Sequence, residues 1–568
     1  MSEYTVADHL LDRLAEVGVR HLFGVPGDFT LGFLDHVEAH PLIEWVGCAN
    51  ELGAGYAADG YARLNGFAAL STTFGVGELS AINAVAGSFA EHVPVLHVVG
   101  APTTATQAAG RATHHSLGDG DFAHFARMTA EVTAVQAVLS GADSAATSTA
   151  EIDRVITATR DRRLPGYLVI PADVSELAAE RATGPLPEHP SITDPAVLDR
   201  FRSAVAERLA SARSIAALAD ILVARLDAQD ALHRLLSEGV RHATLLWGRR
   251  VVDESAAAYL GSYLGTASDT AVRTVIEDSD VLVMAGVQFT DLTSGFFSQH
   301  IDLGRTIDIR GESTRIADER FEPLAMADAL DAVTAAVIDA HAHLQLVHPA
   351  TPNVAAEAGR EAALDARLSQ ATLWQQVTAF LRAGDTVLAD QGTSFYGIAG
   401  HRLPHDVTLI GQPLWASIGF TLPALLGAAL ARPERRPVLL IGDGAAQLTI
   451  AELGTILRHR IPAIIVVVDN AGYAVERVIH GLQEEYNDIA RWDWVALMRA
   501  MDPAGTAHGE RVDSVGALAA ALAAAREADG LTLIQAVTPA GDVPPVLRAV
   551  AAAAAAANRP AAATTTAR

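Results

Sequence analysis

Apolar residues in this chain fall in short continuous runs rather than in strict alternation. Stretches of helical spacing lie between the runs. Pro437 to Ile441 is one such run and ends at Gly442-Asp443-Gly444. Leu448, Ile450, Leu453, Ile456 and Leu457 then recur at helical spacing. A second run, Ala463 to Val468, ends at Asp469-Asn470-Ala471-Gly472. Two apolar runs joined by a helix predict a βαβ unit with buried parallel strands. The two strand ends then share one edge of the sheet, which brings Asp443 and Asn470 within reach of each other.

The same pattern repeats along the chain. HLFGVPG, IEWVGCAN, AALSTTFGVGE, VPVLHVVG and GYLVIPADV read as strands of a first unit, with helices over Val6 to Val17, Thr30 to Ala39 and Leu52 to Leu64. A proline-rich linker, Thr183 to Pro195, precedes a second unit with strands IAALADIL, HATLLWG, VLVMAGVQ and TIDIRG. A second linker near His348 to Gly359 leads to the third unit. The fold class is α/β, with three doubly wound parallel-sheet domains at residues 1–183, 196–345 and 360–548. An Ala-rich helix starting after Pro545 and a frayed, low-complexity tail occupy 549–568. The first and third units have similar layouts, which suggests an old duplication. The second has no Gly-rich dinucleotide loop and reads as a structural spacer.

Composition narrows the function. At 568 residues, half of them hydrophobic, the chain can bury several cores. Its net charge of −26 argues against nucleic acid and anionic membrane as partners. A single cysteine, Cys48, excludes disulfides and cysteine-based zinc sites within one chain, and it reads as a buried thiol. No signal peptide or spanning apolar run is read, so a cytoplasmic enzyme is expected. All 41 basic residues are arginine. Without lysine there is no Schiff base, no pyridoxal phosphate attachment and no P-loop. Cleavage of a bond next to a carbonyl then needs another electron sink.

A carboxylate and an amide carbonyl are hard oxygen donors that leave most positions of a Mg²⁺ ion free for phosphate oxygens, water and a backbone carbonyl. Gly444 admits close approach of a phosphate, and the helix start from Ala445 offers unpaired N–H groups. Either turn alone is commonplace. The pair after two apolar strands points to a metal-diphosphate site.

GDGAAQLTIAELG and NAGYAVERVIHG resemble the motif of the thiamine-diphosphate-dependent 2-keto-acid decarboxylases, the group of pyruvate and indolepyruvate decarboxylases. Many members carry two asparagines where this chain has Asp469-Asn470. The resemblance covers the first and third units almost throughout, and the middle one through WGRRVVDE, GSYLG and GVQFTD. It implies thiamine diphosphate and Mg²⁺ as cofactors. The first unit is then the pyrimidine-binding domain, the third the diphosphate-binding domain, and the active form a homodimer at least, with a homotetramer common.

It also implies roles. Glu51 follows a strand and precedes a segment poor in polar groups, where its proton is expected to be held tightly; the family uses this position to hydrogen-bond the pyrimidine nitrogen. Asp28, His114, His115 and Glu476 match the family's proton-handling set, and histidine suits proton transfer near neutral pH. Alone, Asp28 is an ordinary helix cap and the histidines a polar loop. Asp443, Asn470 and the Gly472 carbonyl match the metal ligands. Gly392, Thr393, Gly442, Gly444, Ala445, Tyr473 and Val475 match the cofactor cradle. Ile418 matches the wedge that bends the cofactor, and Ala416 a backbone acceptor where many relatives have glycine.

Gln391, Phe395, Thr293 and Val475 resemble positions lining a side-chain pocket, with Val550 and Ala554 as its lid. Small lid residues point to a bulky substrate, aromatic (indolepyruvate, phenylpyruvate) or branched. The expected reaction is non-oxidative decarboxylation of a 2-keto acid to aldehyde and CO₂. The alternatives are pyruvate decarboxylase proper, an acetolactate-synthase-like carboligase, and a catalytically silent scaffold.

Overall fold

The computed structural model describes residues 4–141, 144–189, 192–347 and 362–557. The second linker and the terminal NRPAAATTTAR lie outside the described residues, as do positions 190 and 191 of the first linker. Three sheets organise the chain. The first contains β1 (His21–Gly24), β2 (Glu44–Gly47), β3 (Ala68–Thr73), β4 (Val95–Ala101), β5 (Val135–Val138) and β6 (Gly166–Pro171). Its order is β2-β1-β3-β4-β6-β5, parallel throughout.

The second sheet contains β7 (Ile215–Ala219), β8 (Arg241–Thr244), β9 (Tyr259–Ser262), β10 (Val281–Ala285), β11 (Thr306–Arg310), β12 (Ser313–Ile316) and β13 (Glu319–Phe321). Its order is β13-β12-β11-β10-β7-β8-β9. This sheet is parallel from β11 through β9 and adds an antiparallel pair at one edge. β12 and β13 form an antiparallel hairpin on the edge, set up by the tight turn at Gly311 and by Ala317 at φ +51°.

The third sheet contains β14 (Asp385–Ala389), β15 (Thr408–Ile410), β16 (Arg436–Gly442), β17 (Ile464–Asp469), β18 (His508–Val512) and β19 (Thr532–Val537). Its order, β15-β14-β16-β17-β19-β18, repeats that of the first sheet position for position. The central strands of both are buried on both faces, as their unbroken apolar runs require.

The first and third domains join through two helices of small residues. Helix 51–65 packs against helix 421–431 so closely that a Cβ on Gly60 would lie 2.2 Å from the Ala424 carbonyl oxygen. A Cβ on Gly427 would lie 1.8 Å from that of Ala57. Backbone meets backbone there, which only glycine permits. The Tyr56 and Ser417 hydroxyls, 2.6 Å apart, add a polar tie at the end nearest the site.

Candidate cofactor and metal site

β16 and β17 pair in parallel register, Gly442 opposite Val468, so both chains leave the sheet at the same edge. Asp443 opens the helix 443–449 and is buried. Its Oδ1 accepts the Gly444 N–H at 2.8 Å and its Oδ2 the Ala471 N–H at 2.8 Å. The carboxylate is thereby aimed across the gap at the loop after β17.

In that loop Ala471 has φ +64° and Gly472 φ +130°, two successive left-handed residues that turn the Gly472 carbonyl back toward Asp443. The inner atom of the Asn470 side-chain amide lies 2.9 Å from the Gly472 carbonyl oxygen and 3.2 Å from Asp443 Oδ1. With the NH₂ inward, the amide donates to both. With the oxygen inward, three oxygen donors converge. Oxygens held by one octahedral Mg²⁺ at about 2.1 Å stand about 3.0 Å apart along an edge. The observed separations match that edge, so these residues fit the ion. Electrostatics agree. Burial, and then the Asp469 carboxylate, push the Asp443 carboxyl up to about 7, the condition a neighbouring cation reverses.

Around the loop the structure leaves room where a diphosphate needs it. A Cβ added at Gly392 or Gly442 would meet nothing within 4 Å. Gly444 is fixed differently, since a Cβ there would sit 2.6 Å from the Tyr473 ring. Thr393 and Ala445 are buried beside these glycines. The segment carrying Ala416 and Ile418 is held from several sides. Asp390 accepts the Gly419 and Thr421 N–H groups at 3.1 Å each, Gln412 Oε1 accepts the Ser417 N–H at 3.1 Å, and the Gln412 carbonyl accepts that of Ala416 at 2.8 Å. Ala416 has φ +55°, which gives a backbone reason for glycine at this position.

On the first domain, Asp28, His114 and His115 come together, their ligand atoms within 4.8 Å of one another. His114 Nε2 lies 2.8 Å from Asp28 Oδ2, and its ring stacks on Phe29. His115 has φ +64° and a buried Nδ1 without a hydrogen-bond partner. Its carbonyl oxygen is where a Cβ of Gly75 would be, 1.9 Å away. Glu51, the first residue of helix 51–65, is half-buried beside Gly77, where a Cβ would lie 3.3 Å from its Oε1. Gly75 and Gly77 thus let the loop 113–116 and Glu51 share the carboxyl edge of the first sheet.

Glu476 is exposed on helix 474–479, with Val475 partly buried next to it. Helix 545–557 packs on helices 393–399 and 474–479, with Val550 and Ala554 facing inward. Gln391 donates to the Tyr396 hydroxyl at 3.3 Å, while its Oε1 is buried without a partner. Phe395 is buried in the third-domain core and faces Gly411, and Thr293 is fully buried with its hydroxyl 2.7 Å from that of Thr290.

Several supporting residues were not picked out by sequence spacing. Glu452, wholly buried, accepts the Ala49 and Asn50 N–H groups at 2.9 and 3.4 Å and so ties the start of the Glu51 helix to the third domain. Arg477, also buried, donates to the Ala471 carbonyl at 2.7 Å and to Asp488 Oδ1 at 2.6 Å, bracketing the strained loop. Glu91 accepts the Trp247 indole N–H at 2.6 Å and the Leu414 N–H at 3.0 Å, joining all three domains. Their only sequence signal is a charge inside an apolar stretch.

The chain matches the thiamine pyrophosphate enzyme N-terminal TPP binding domain over residues 4–147, the central domain over 202–337 and the C-terminal TPP binding domain over 392–536. It is 53% identical over 548 residues to an alpha-keto-acid decarboxylase of Mycobacterium ulcerans (strain Agy99), covering 96% of this chain and 95% of that protein. It is 51% identical to one of Mycobacterium tuberculosis (strain H37Rv), with 96% of both covered. A third, from Mycobacterium leprae (strain TN), is 50% identical, covering 96% of this chain and 95% of the relative. Matched in all three domains and along nearly its whole length, the chain belongs to the thiamine pyrophosphate enzymes, in the family of the alpha-keto-acid decarboxylases.

Proposed function

We propose that this chain decarboxylates 2-keto acids without oxidation, releasing an aldehyde and CO₂. The observation that carries the reading is the convergence of Asp443, Asn470 and the Gly472 carbonyl at two separations of octahedral-edge length, in a chain sharing half its residues with proteins named alpha-keto-acid decarboxylase. Asp443, Asn470 and Gly472 would hold Mg²⁺. Gly392, Thr393, Gly442, Gly444, Ala445 and Tyr473 would line the diphosphate. Ile418 and Val475 would pack on the cofactor, with the Ala416 carbonyl as an acceptor. Thiamine diphosphate, when bound, supplies the electron sink for C–C cleavage, which a lysine-free chain cannot provide through an imine.

The chain's own residues handle protons and water. Glu51 would hold a proton against the far ring of the cofactor. The Asp28–His114 pair, 2.8 Å apart, keeps an imidazole oriented beside His115, an arrangement suited to delivering and removing protons near neutral pH. Glu476, on the helix after the metal loop, would join them from the third domain. Gln391, with Val550 and Ala554 on the covering helix, would bound the substrate side chain. Valine and alanine leave room for an aromatic or branched keto acid, which we favour over pyruvate.

The domain roles follow, with residues 1–183 binding the pyrimidine, 196–345 a spacer and 360–548 binding the diphosphate. We infer a homodimer as the minimal active form, with Glu51 of one copy serving the metal loop of another, and a homotetramer as its assembly. A cytoplasmic location, without nucleic acid or membrane partners, fits the net charge of −26. Among the described residues no helix is long and apolar enough to cross a membrane.

The test is product analysis with indolepyruvate, phenylpyruvate, a branched-chain keto acid and pyruvate. Aldehyde and CO₂ in equal amounts support the proposal. Acyloin as the main product replaces it with a carboligase. No turnover of any of the four, with the cofactors bound, leaves a binding protein.

A further inference from the structure

A cavity of about 410 Å³ lies where the three domains meet, away from the metal loop, and its walls are unusually basic. Arg63 enters from the first domain, Arg225, Arg249 and Arg250 from the second, and Arg432 and Arg435 from the third. Asp406 is the one carboxylate among its lining residues.

Three of these arginines are compensated. Arg63 meets Asp59 at 2.6 Å and Glu91 at 3.7 Å, Arg249 meets Glu254 at 2.7 Å, and Arg435 meets Asp406 at 3.3 Å. The other three form no ion pair, although the charge of Glu91 reaches Arg225 and that of Glu254 reaches Arg250; Arg432 is exposed. Arg225 donates to the backbone carbonyl of Glu91 at 3.1 Å, Arg250 to that of Val407 at 2.6 Å, and Arg432 to that of Ala431 at 3.2 Å. Nη1 of Arg250 is buried without a hydrogen-bond partner, as are Nη2 of Arg63 and Nε of Arg435.

A guanidinium removed from water and left without an anion costs free energy, and neighbouring like charges add to the cost. Burial and then the charge of Arg63 press Arg225 down to about 10, in accord with that cost. The chain as a whole carries −26, so this concentration of positive charge is local and needs a local cause.

We propose that the cavity binds a phosphate monoester, its phosphate held by Arg225, Arg250 and Arg432. Two partly buried guanidiniums without an ion pair, beside the exposed charge of Arg432, favour an anion of more than one charge, and a phosphate dianion supplies it. The planar fork of arginine matches phosphate oxygens two at a time. The volume suits a small organic molecule. Leu246, Trp247, Phe395 and Ile410 give the same cavity an apolar side, which an organic ester covers better than bare phosphate does. Its wall includes Gly411 and Pro413, which flank the Gln412 that holds the Ala416–Ser417 segment. An occupant therefore touches the stretch that leads to the cofactor site.

The test is calorimetric titration of the protein loaded with thiamine diphosphate and Mg²⁺, at constant ionic strength. The probes are inorganic phosphate and glycerol 3-phosphate. One site per chain is expected for each, with the ester binding more tightly and the cofactor retained. Arg250→Met and Arg432→Met keep the apolar stems and remove the charges, and each should weaken binding about tenfold or more. Arg432 makes only a bond to its own neighbour, so that variant keeps the test open if Arg250→Met does not fold. No heat up to about 10 mM phosphate overturns the site. So do unchanged binding in Arg432→Met and phosphate binding that occurs only as the cofactor leaves.

Discussion

Asp443 and Asn470 stand side by side, 3.2 Å from carboxylate to amide, though they follow different strands. The parallel register of β16 and β17 puts them there, and the Ala471 N–H locks the carboxylate in place. The proposal that this pair shares a cation makes a definite prediction. Asp443→Asn removes the charge and keeps the shape. The variant should fold, since its Oδ2 bond has a neutral equivalent, yet the half-saturating Mg²⁺ concentration for cofactor binding should rise at least 100-fold. Tryptophan fluorescence on titration with Mg²⁺ and thiamine diphosphate reads it. A tenfold or smaller change would mean that the carboxylate does not touch the ion.

Arg477 supports the same loop from behind. It is bonded to the Ala471 carbonyl and to Asp488, and no other buried guanidinium among the described residues bonds to residues 470–472. Residues that orient metal ligands typically change affinity by about 10- to 100-fold when removed. Arg477→Ala should weaken Mg²⁺ to that extent, and Arg477→Lys should recover part of the loss. If both variants lose thermal stability without the cofactor and bind Mg²⁺ as the parent does, the arginine braces the fold and not the site.

The pairing of Asp443 with Asn470 was legible because it depends on two local signals: continuous apolar runs and the polar residues that end them. The similar layouts of the first and third units were legible for the same reason, since most of their strands read as separate apolar runs; the short edge strands β5 and β18 did not. The β12–β13 hairpin was not, because its strands are short and half-polar, and only pairing distinguishes them from loop. The burial of Phe395 and Thr293 was not legible, for another reason. A motif gives sequence position, whereas the side a residue faces is set by the helix or turn beneath it. Glu452, Arg477 and Glu91 escaped altogether, since their bonds run to backbone groups or to side chains at no fixed spacing and carry no pattern.

Glu51 is the first residue of its helix, with Asn50 as the cap and Glu452 fixing the turn before it. The capping bond belongs to Asn50 Oδ1, which takes the Gly53 N–H at 2.7 Å, so the fold does not need the Glu51 carboxyl. Glu51→Gln should leave the melting temperature of the cofactor-free protein within a degree or so and lower kcat by about 100-fold or more, the scale of a lost acid–base group. Thermal melts with and without thiamine diphosphate, beside steady-state kinetics, separate the two effects. Undiminished turnover would remove Glu51 from the proposed chemistry.

Glu78 links the loop at His115 to the pH dependence of stability. It is buried under Gly75, whose N–H it accepts at 2.7 Å, and it also accepts the Tyr167 hydroxyl. Burial outweighs these bonds and pushes its carboxyl up to about 7 from an ordinary 4.5. The folded state therefore keeps this proton after the unfolded chain has lost it. Between about pH 4.5 and 7 the folded form binds more protons, so Glu78 makes stability fall as pH rises, with no further loss above that window. The full effect is on the order of 3 kcal/mol. Glu78→Gln keeps an oxygen acceptor for one of the two donors, can donate its NH₂ to the Tyr167 oxygen, and carries no charge at any pH. Relative to the parent, its melting temperature should climb between pH 5 and 8, by several degrees in all, and then level off. The comparison is made on the cofactor-free protein, so that metal binding at Asp443 does not add to the trend. A difference between variant and parent that stays flat across this range would show that Glu78 is already ionised in the fold at pH 5.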